Sequence, residues 1–159
     1  MRTLTVYLET SIFNYYFELE REAHADTVRL FEEIRNGKYQ AFTSTYAVNE
    51  LLRAPDDKRD KMIALIDQYG ITTLPVSEEA NRLGALYVKE GIIPPSVLTD
   101  ALHIAVATVN ALDMILSLNF RHIVRKKTVE LTALVNVKEG YRKVDIYAPM
   151  EVVSREEFD

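Results

Sequence analysis

Along the 159 residues, apolar positions recur in two alternating rhythms, short dense runs and stretches with helical spacing. Thr3 to Leu8 (TLTVYL) reads as a strand, and a mixed polar and apolar helical stretch follows it. A clearer helix spans His24 to Asn36, where Val28, Phe31 and Ile34 fall at i, i+3 and i+6 and Gly37 supplies the stop. Tyr39 to Thr43 is a second strand. Ser44 or Thr45 caps the next helix, whose Ala47, Val48, Leu51 and Leu52 turn inward. Pro55 to Lys61 reads as a charged turn leading into a helix over Met62 to Tyr69, ended by Gly70. Ile71 to Val76 is a third strand with Pro75 near its end. Ser77 opens a helix that runs to about Glu90, and after the loop Gly91 to Pro95 a strongly apolar helix runs from Ser96 to about Ala111. Asp113 to Leu118 is a fourth strand. A short helix near Phe120, a polar stretch and a late strand at Val144 to Tyr147 complete the chain.

Strands separated by helical segments of this length predict right-handed crossovers and a parallel sheet covered on both faces. The expected fold class is α/β, a three-layer α/β/α domain with a central, mainly parallel sheet of four to five strands. No Pro/Gly/Ser-rich linker, low-complexity stretch or internal repeat divides the sequence, so residues 1–159 are read as a single domain. In such sheets ligands bind outside the carboxyl ends of the strands, which says where to look for chemistry.

Composition narrows that chemistry. There is no cysteine, which excludes disulfides, thiolate catalysis and Cys-based zinc sites. The longest apolar segment, Val97 to Leu112, contains Asp100 and His103 and is too short for a membrane span. The apolar run at the N-terminus breaks at Glu9 with no cleavage site after it, so a cytoplasmic protein is expected. The net charge of -5 argues against a protein that coats nucleic acid by bulk electrostatics. Between Arg121 and Lys143, however, seven basic residues face only Glu130 and Glu139, a local net charge of +5. Arg121, Arg125, Lys126 and Lys127 within it are either a solvated surface or a phosphate-contacting rim.

Acidic residues stand where apolar ones would be expected. Glu9 follows the first strand directly in VYLETS, where it could also be a loop carboxylate hydrogen-bonded to Thr10, Ser11 and nearby amides. Glu50 sits in STYAVNELL beside inward-facing residues, or else is an ordinary solvent-facing helix glutamate. Asp100 lies in PPSVLTDALHIAVATV, where the helix is apolar nearly all round. An ionised carboxylate there is costly unless paired, hydrogen-bonded or metal-bound, although the helix dipole favours it in the first turns. His103 shares that face one turn on and reads best as a hydrogen-bonded core histidine; His122 is ambiguous, and His24 is a surface residue near a helix start. Ser117 and Asn119 follow the fourth strand and offer neutral oxygens or simple turn chemistry. Together, Glu9, Glu50, Asp100 and Asn119 can all reach one edge of a parallel sheet. Clustered carboxylates raise one another's pKa unless a cation neutralises them, and an all-oxygen set favours Mg²⁺ or Mn²⁺. Such a site suits phosphodiester hydrolysis.

In order, VYLETS, STYAVNELL, DALHIAVA (Asp100 to Ala107) and SLNFRHI (Ser117 to Ile123) resemble the PIN-domain nucleases, and within them the VapC-type toxins of toxin-antitoxin pairs. The resemblance spans most of the chain, and DALHIAVA is its most specific part. It implies a PIN-like fold, with the family's three acidic positions matched by Glu9, Glu50 and Asp100 and a fourth, often acidic, by Asn119. It further implies Mg²⁺- or Mn²⁺-dependent cleavage of RNA, a small cognate antitoxin and a homodimer. The departures are Glu9, where the family usually has Asp, and the uncharged Asn119. They leave open a PIN-like RNA- or protein-binding module that does not cut, while a metal-free ribonuclease using His103 or His122 is a further alternative.

Overall fold

The computed structural model describes residues 2–154. Its elements are β1 (Leu4–Leu8), α1 (Thr10–Tyr15), α2 (His24–Arg35), β2 (Tyr39–Ser44), α3 (Thr45–Leu52), α4 (Asp56–Gln68) and β3 (Thr72–Leu74). After these come α5 (Glu78–Lys89), α6 (Leu98–Val109), β4 (Met114–Leu116), α7 (Lys126–Lys138) and β5 (Asp145–Tyr147). Short 3-10 turns at Pro95–Val97 and Pro149–Glu151 precede α6 and follow β5. The five strands form one sheet in the order β3-β2-β1-β4-β5, and every pair is parallel.

Strand periodicity of two divides the core between the faces. Val6 and Leu8 of β1, with Met114 and Leu116 of β4, pack beneath α1, α2 and α4 against Phe13, Phe31 and Leu65. Tyr7 and Ile115 point the other way, toward Leu83 and Tyr87 of α5, Ile104 of α6 and Val135 of α7. Gly84 lets α5 lie close on α6, since a Cβ there would stand 2.7 Å from a Leu102 methyl. Ser44 and Ser77 cap α3 and α5 as expected, accepting from the amides of Ala47 and Ala80. At the amino edge, Asp113 accepts from Arg2 and from the amide and hydroxyl of Thr5, tying β1 to β4.

Four local expectations differ from the structure. Asp56 to Lys61 is the start of α4 rather than a turn, with Asp56 and Asp57 favoured in the first turn by the helix dipole. Leu52 ends α3 on its open side and is 49% exposed, while Val48 is half-buried. Phe120 lies in a turn, not a helix. The polar stretch after it contains α7, whose pattern is inverted: Thr128, Thr132, Val135 and Asn136 are buried, whereas Val129, Leu134 and Val137 are exposed. The inward polar groups are satisfied: Thr128 and Thr132 donate to carbonyls, and Asn136 accepts from the Tyr87 hydroxyl. No helix among the described residues is long and apolar enough to cross a membrane.

Candidate active site at the sheet switch point

The connection after β1 runs to β2 on one side, while β4 joins β1 on the other, so the strand order reverses between β1 and β4. Leu8 and Leu116 are register partners at the carboxyl ends of these two strands. Glu9 and Ser117 therefore leave the sheet side by side at the position where such sheets bind ligands. From the same edge, β2 passes directly into α3, which carries Glu50, and α6 brings Asp100 in its first turn. Glu9, Glu50, Asp100 and Asn119 line one cleft of about 360 Å³, together with Thr10, Ser11, Asn14 and Met62.

Each carboxylate is held by its own partners. Glu9 is 5% exposed and caps α1, accepting from the Ser11 amide at 3.2 Å and the Ser11 hydroxyl at 2.6 Å. Its Oε1 also accepts from the Ser117 hydroxyl at 2.5 Å, bridging the ends of β1 and β4. Asp100 accepts from Asn119 Nδ2 at 3.1 Å. The backbone N–H of His122 donates to Asn119 Oδ1, which fixes the amide orientation, because an N–H must face an oxygen. Of the two sequence readings of Asn119, its oxygen serves the turn, and the group it turns toward Asp100 is a donor rather than a neutral oxygen. Burial raises the Asp100 pKa; Asn119 opposes this, and the charge of Glu9 adds to it.

Glu50 accepts from the Thr10 hydroxyl at 2.6 Å and from His103 Nε2 at 2.7 Å. Behind it lies a buried relay that the sequence did not reveal: His103 Nδ1 is 2.5 Å from the Tyr7 hydroxyl, itself 2.7 Å from Ser44 Oγ. With a neutral ring, Ser44 donates to Tyr7, Tyr7 to Nδ1, and Nε2–H to Glu50; protonating the ring reverses the Tyr7 bond and turns the Tyr7 proton toward Ser44, leaving the Glu50 bond as it was. Burial pulls the His103 pKa down, but the Glu50 hydrogen bond and the charges of Glu9, Glu50 and Asp100 outweigh it, so the net shift is upward. Glu50 moves oppositely, burial being outweighed by the bond and charge of His103 and by Thr10. His103 is fully enclosed, in agreement with the core reading of its sequence. Only the i, i+3 spacing from Asp100 could have hinted at the relay, since Tyr7 and Ser44 come from other strands.

A family profile for the PIN domain matches residues 6–127, well over half of the chain. The chain belongs to the PIN domain family. Two solved structures share the PIN fold seen here. Mycobacterium tuberculosis VapC20, described as a Sarcin-Ricin loop cleaving toxin, aligns with a TM-score of 0.54 at 13% identity, over 69% of this chain and 86% of that one. VapBC2 from Rickettsia felis, solved bound to a DNA fragment from their promoter, aligns with a TM-score of 0.57 at 12% identity, over 91% and 98%. No curated protein matches this PIN chain in sequence.

The four positions expected from the resemblance thus share one cleft. Their chemistry suits a hard cation, all three charged donors being carboxylates, and the raised Asp100 pKa marks a negative charge that a cation would relieve. Among the described residues, though, no three acidic or histidine side chains stand close enough to hold one ion. The basic residues do not line the cleft: Arg125 precedes α7 and donates to the Thr128 hydroxyl without capping the helix, Lys126 lies 3.9 Å from Glu130, and Arg121 and Lys127 are exposed. His122 Nδ1 is buried without a hydrogen-bond partner among the described residues, and His24 donates to the Tyr15 carbonyl at the start of α2.

Proposed function

We propose that this PIN domain, taken as one unit over residues 1–159, is a divalent-metal-dependent endoribonuclease and the toxin of a toxin-antitoxin pair, acting in the cytoplasm. The observation that carries the reading is the convergence of Glu9, Glu50, Asp100 and Asn119, from four separate segments, on one cleft at the switch point. Glu50 and Asp100, with Glu9 behind them, would hold Mg²⁺ or Mn²⁺. When bound, such an ion lowers the pKa of a water and stabilises charge on phosphate oxygens. Asn119 orients Asp100 through its amide, and His103 orients Glu50 while itself shielded from substrate. That enclosure disfavours a metal-free mechanism with His103 as the acid or base. Arg121, Arg125, Lys126 and Lys127 would guide the RNA backbone from outside the cleft.

The VapC neighbours support the toxin assignment by fold. The natural partner would be a small antitoxin that inserts an Arg or Lys among the carboxylates, a charge-assisted contact that blocks metal and RNA together. A second copy of the chain is the other expected partner. The separation of the carboxylates, each engaged by its own donors, favours one alternative, a PIN-like RNA- or protein-binding module that does not cut.

Cleavage of single-stranded RNA decides between them. The wild-type chain is expected to cut with Mn²⁺, and Glu50→Gln and Asp100→Asn to abolish cutting while keeping the circular-dichroism spectrum. Intact RNA in every lane would favour the binding module, and cutting in chelator would return the metal-free mechanism.

A further inference from the structure

Helix α7 wears its apolar residues on the wrong side. Thr128, Thr132 and Asn136, all at or below 1% exposure, face the core, while Leu134 and Val137 are 62% and 67% exposed. The i, i+3, i+4, i+7 spacing puts Lys127, Glu130, Leu134, Val137 and Lys138 on one outward stripe, flanked by the half-buried Leu131, which also packs on the core. A shallow apolar groove of about 370 Å³ runs beside it, floored by Ile92 and Val135 and edged by Glu90 and Lys138. The satisfied polar residues inside show that α7 needs no reversal to pack. Apolar residues left in water at helical spacing mark a face that another helix covers.

The order of residues along the stripe identifies the occupant. In ELTALVNVK, Glu130 to Lys138, the chemistry mirrors itself about Leu134: Leu131 stands three residues before it and Val137 three after, Glu130 four before and Lys138 four after. We propose that α7 pairs with α7 of a second copy of this chain, antiparallel, with the two-fold axis at Leu134. That arrangement sets Leu134 on its own counterpart, Leu131 on Val137, and Glu130 on Lys138, twice over by symmetry. A parallel pair would oppose Glu130 to Glu130 and Lys138 to Lys138, so charge selects the antiparallel register. Among the described residues Lys138 has no ion-pair partner, and Glu130 has only the 3.9 Å contact with Lys126. One short helix and its groove are small beside the roughly 800 Å² per partner of a standard interface, so a weak, concentration-dependent dimer is expected. Most of α7 lies beyond the PIN match, which ends at residue 127.

This inference gives a surface to the self-association proposed above, and one experiment separates the two. Sedimentation velocity of the full chain, from low to high micromolar, is expected to show a monomer–dimer equilibrium. Leu134→Glu should be monomeric throughout and should melt with the dilute, monomeric wild type, because Leu134 is solvent-exposed in the monomer. Glu130→Lys and Lys138→Glu should each weaken the dimer about tenfold, and the double swap should restore it. A wild-type chain that stays monomeric overturns both this pairing and the self-association itself. A dimer indifferent to all four variants overturns the α7 surface alone. A monomeric chain that loses a host protein only in Leu134→Glu assigns the face to that protein and also overturns the pairing.

Discussion

Glu9 carries one more methylene than the aspartate common at this position in the family, and the extra reach has a use. Its carboxylate spans from the end of β1 to Ser117 at the end of β4 while also capping α1. Glu9→Asp would draw the carboxylate back by about one bond length, roughly 1.5 Å, out of hydrogen-bond range of Ser117. The variant is expected to lose about 1–2 kcal/mol of stability, because the buried hydroxyl is left without its acceptor, and to cleave RNA more slowly than wild type. Urea denaturation alongside a cleavage assay checks both; faster cleavage would mean that the longer side chain merely displaces the metal. Asp100 gives a pH test. Burial and the charge of Glu9 raise its pKa, so the folded chain holds that proton more tightly than the unfolded one. Stability therefore falls as pH rises from the unfolded carboxyl value through the raised folded value, and the penalty persists at neutral pH. Asp100→Asn is expected to melt higher than wild type at pH 7 without divalent metal, with the gap closing below the carboxyl range, as read by calorimetry. An equal or lower melting temperature at pH 7 would mean that Asp100 is stabilised by its surroundings.

At the scale of elements, the polar end of α7 and the loop before it concentrate the positive charge of a net acidic chain. Arg125, Lys126 and Lys127 open α7 on the segment that also carries Asn119 into the cleft. Neutralising all three is expected to weaken RNA binding and to flatten its salt dependence, because fewer counterions are released from the phosphates. Filter binding across a salt series measures both, and an unchanged slope would make these residues a solvated surface. The same helix shows why periodicity misled. An apolar stripe normally marks the buried face, but α7 buries Thr128, Thr132 and Asn136 against carbonyls and the Tyr87 hydroxyl, so no amphipathic pattern pointed inward. The start of α4 was hidden for another reason: its first two turns are charged and mostly exposed, entered through Pro55, favoured by the dipole and tied by Lys58 to Glu18 rather than held by apolar packing.

For the molecule as a whole, much of the architecture was legible before any coordinates, since strand runs of period two separated by helical runs admit few packings. Parallel strands, helices on both faces and the carboxyl edge as the place to look for a cleft all followed from that alternation. So did the choice of Glu9, Glu50 and Asp100 as the carboxylates to watch, since a charge beside inward apolar residues is costly and visible in one dimension. Those inferences depend on neighbours in sequence, and local spacing contains them. The strand order β3-β2-β1-β4-β5 does not follow from spacing, and it alone makes Glu9 and Ser117 adjacent across 108 residues. Only folding could join Ser44, Tyr7, His103 and Glu50 into one buried relay, because each comes from a different element and hydrogen bonds depend on distance, not on order along the chain. The orientation of Asn119 was likewise decided by a backbone amide three residues on, in a turn that the sequence read as a helix. Outside α7 and the end of α3, periodicity thus determined which faces are buried and which residues are out of place, whereas tertiary contact decided what each of those residues touches.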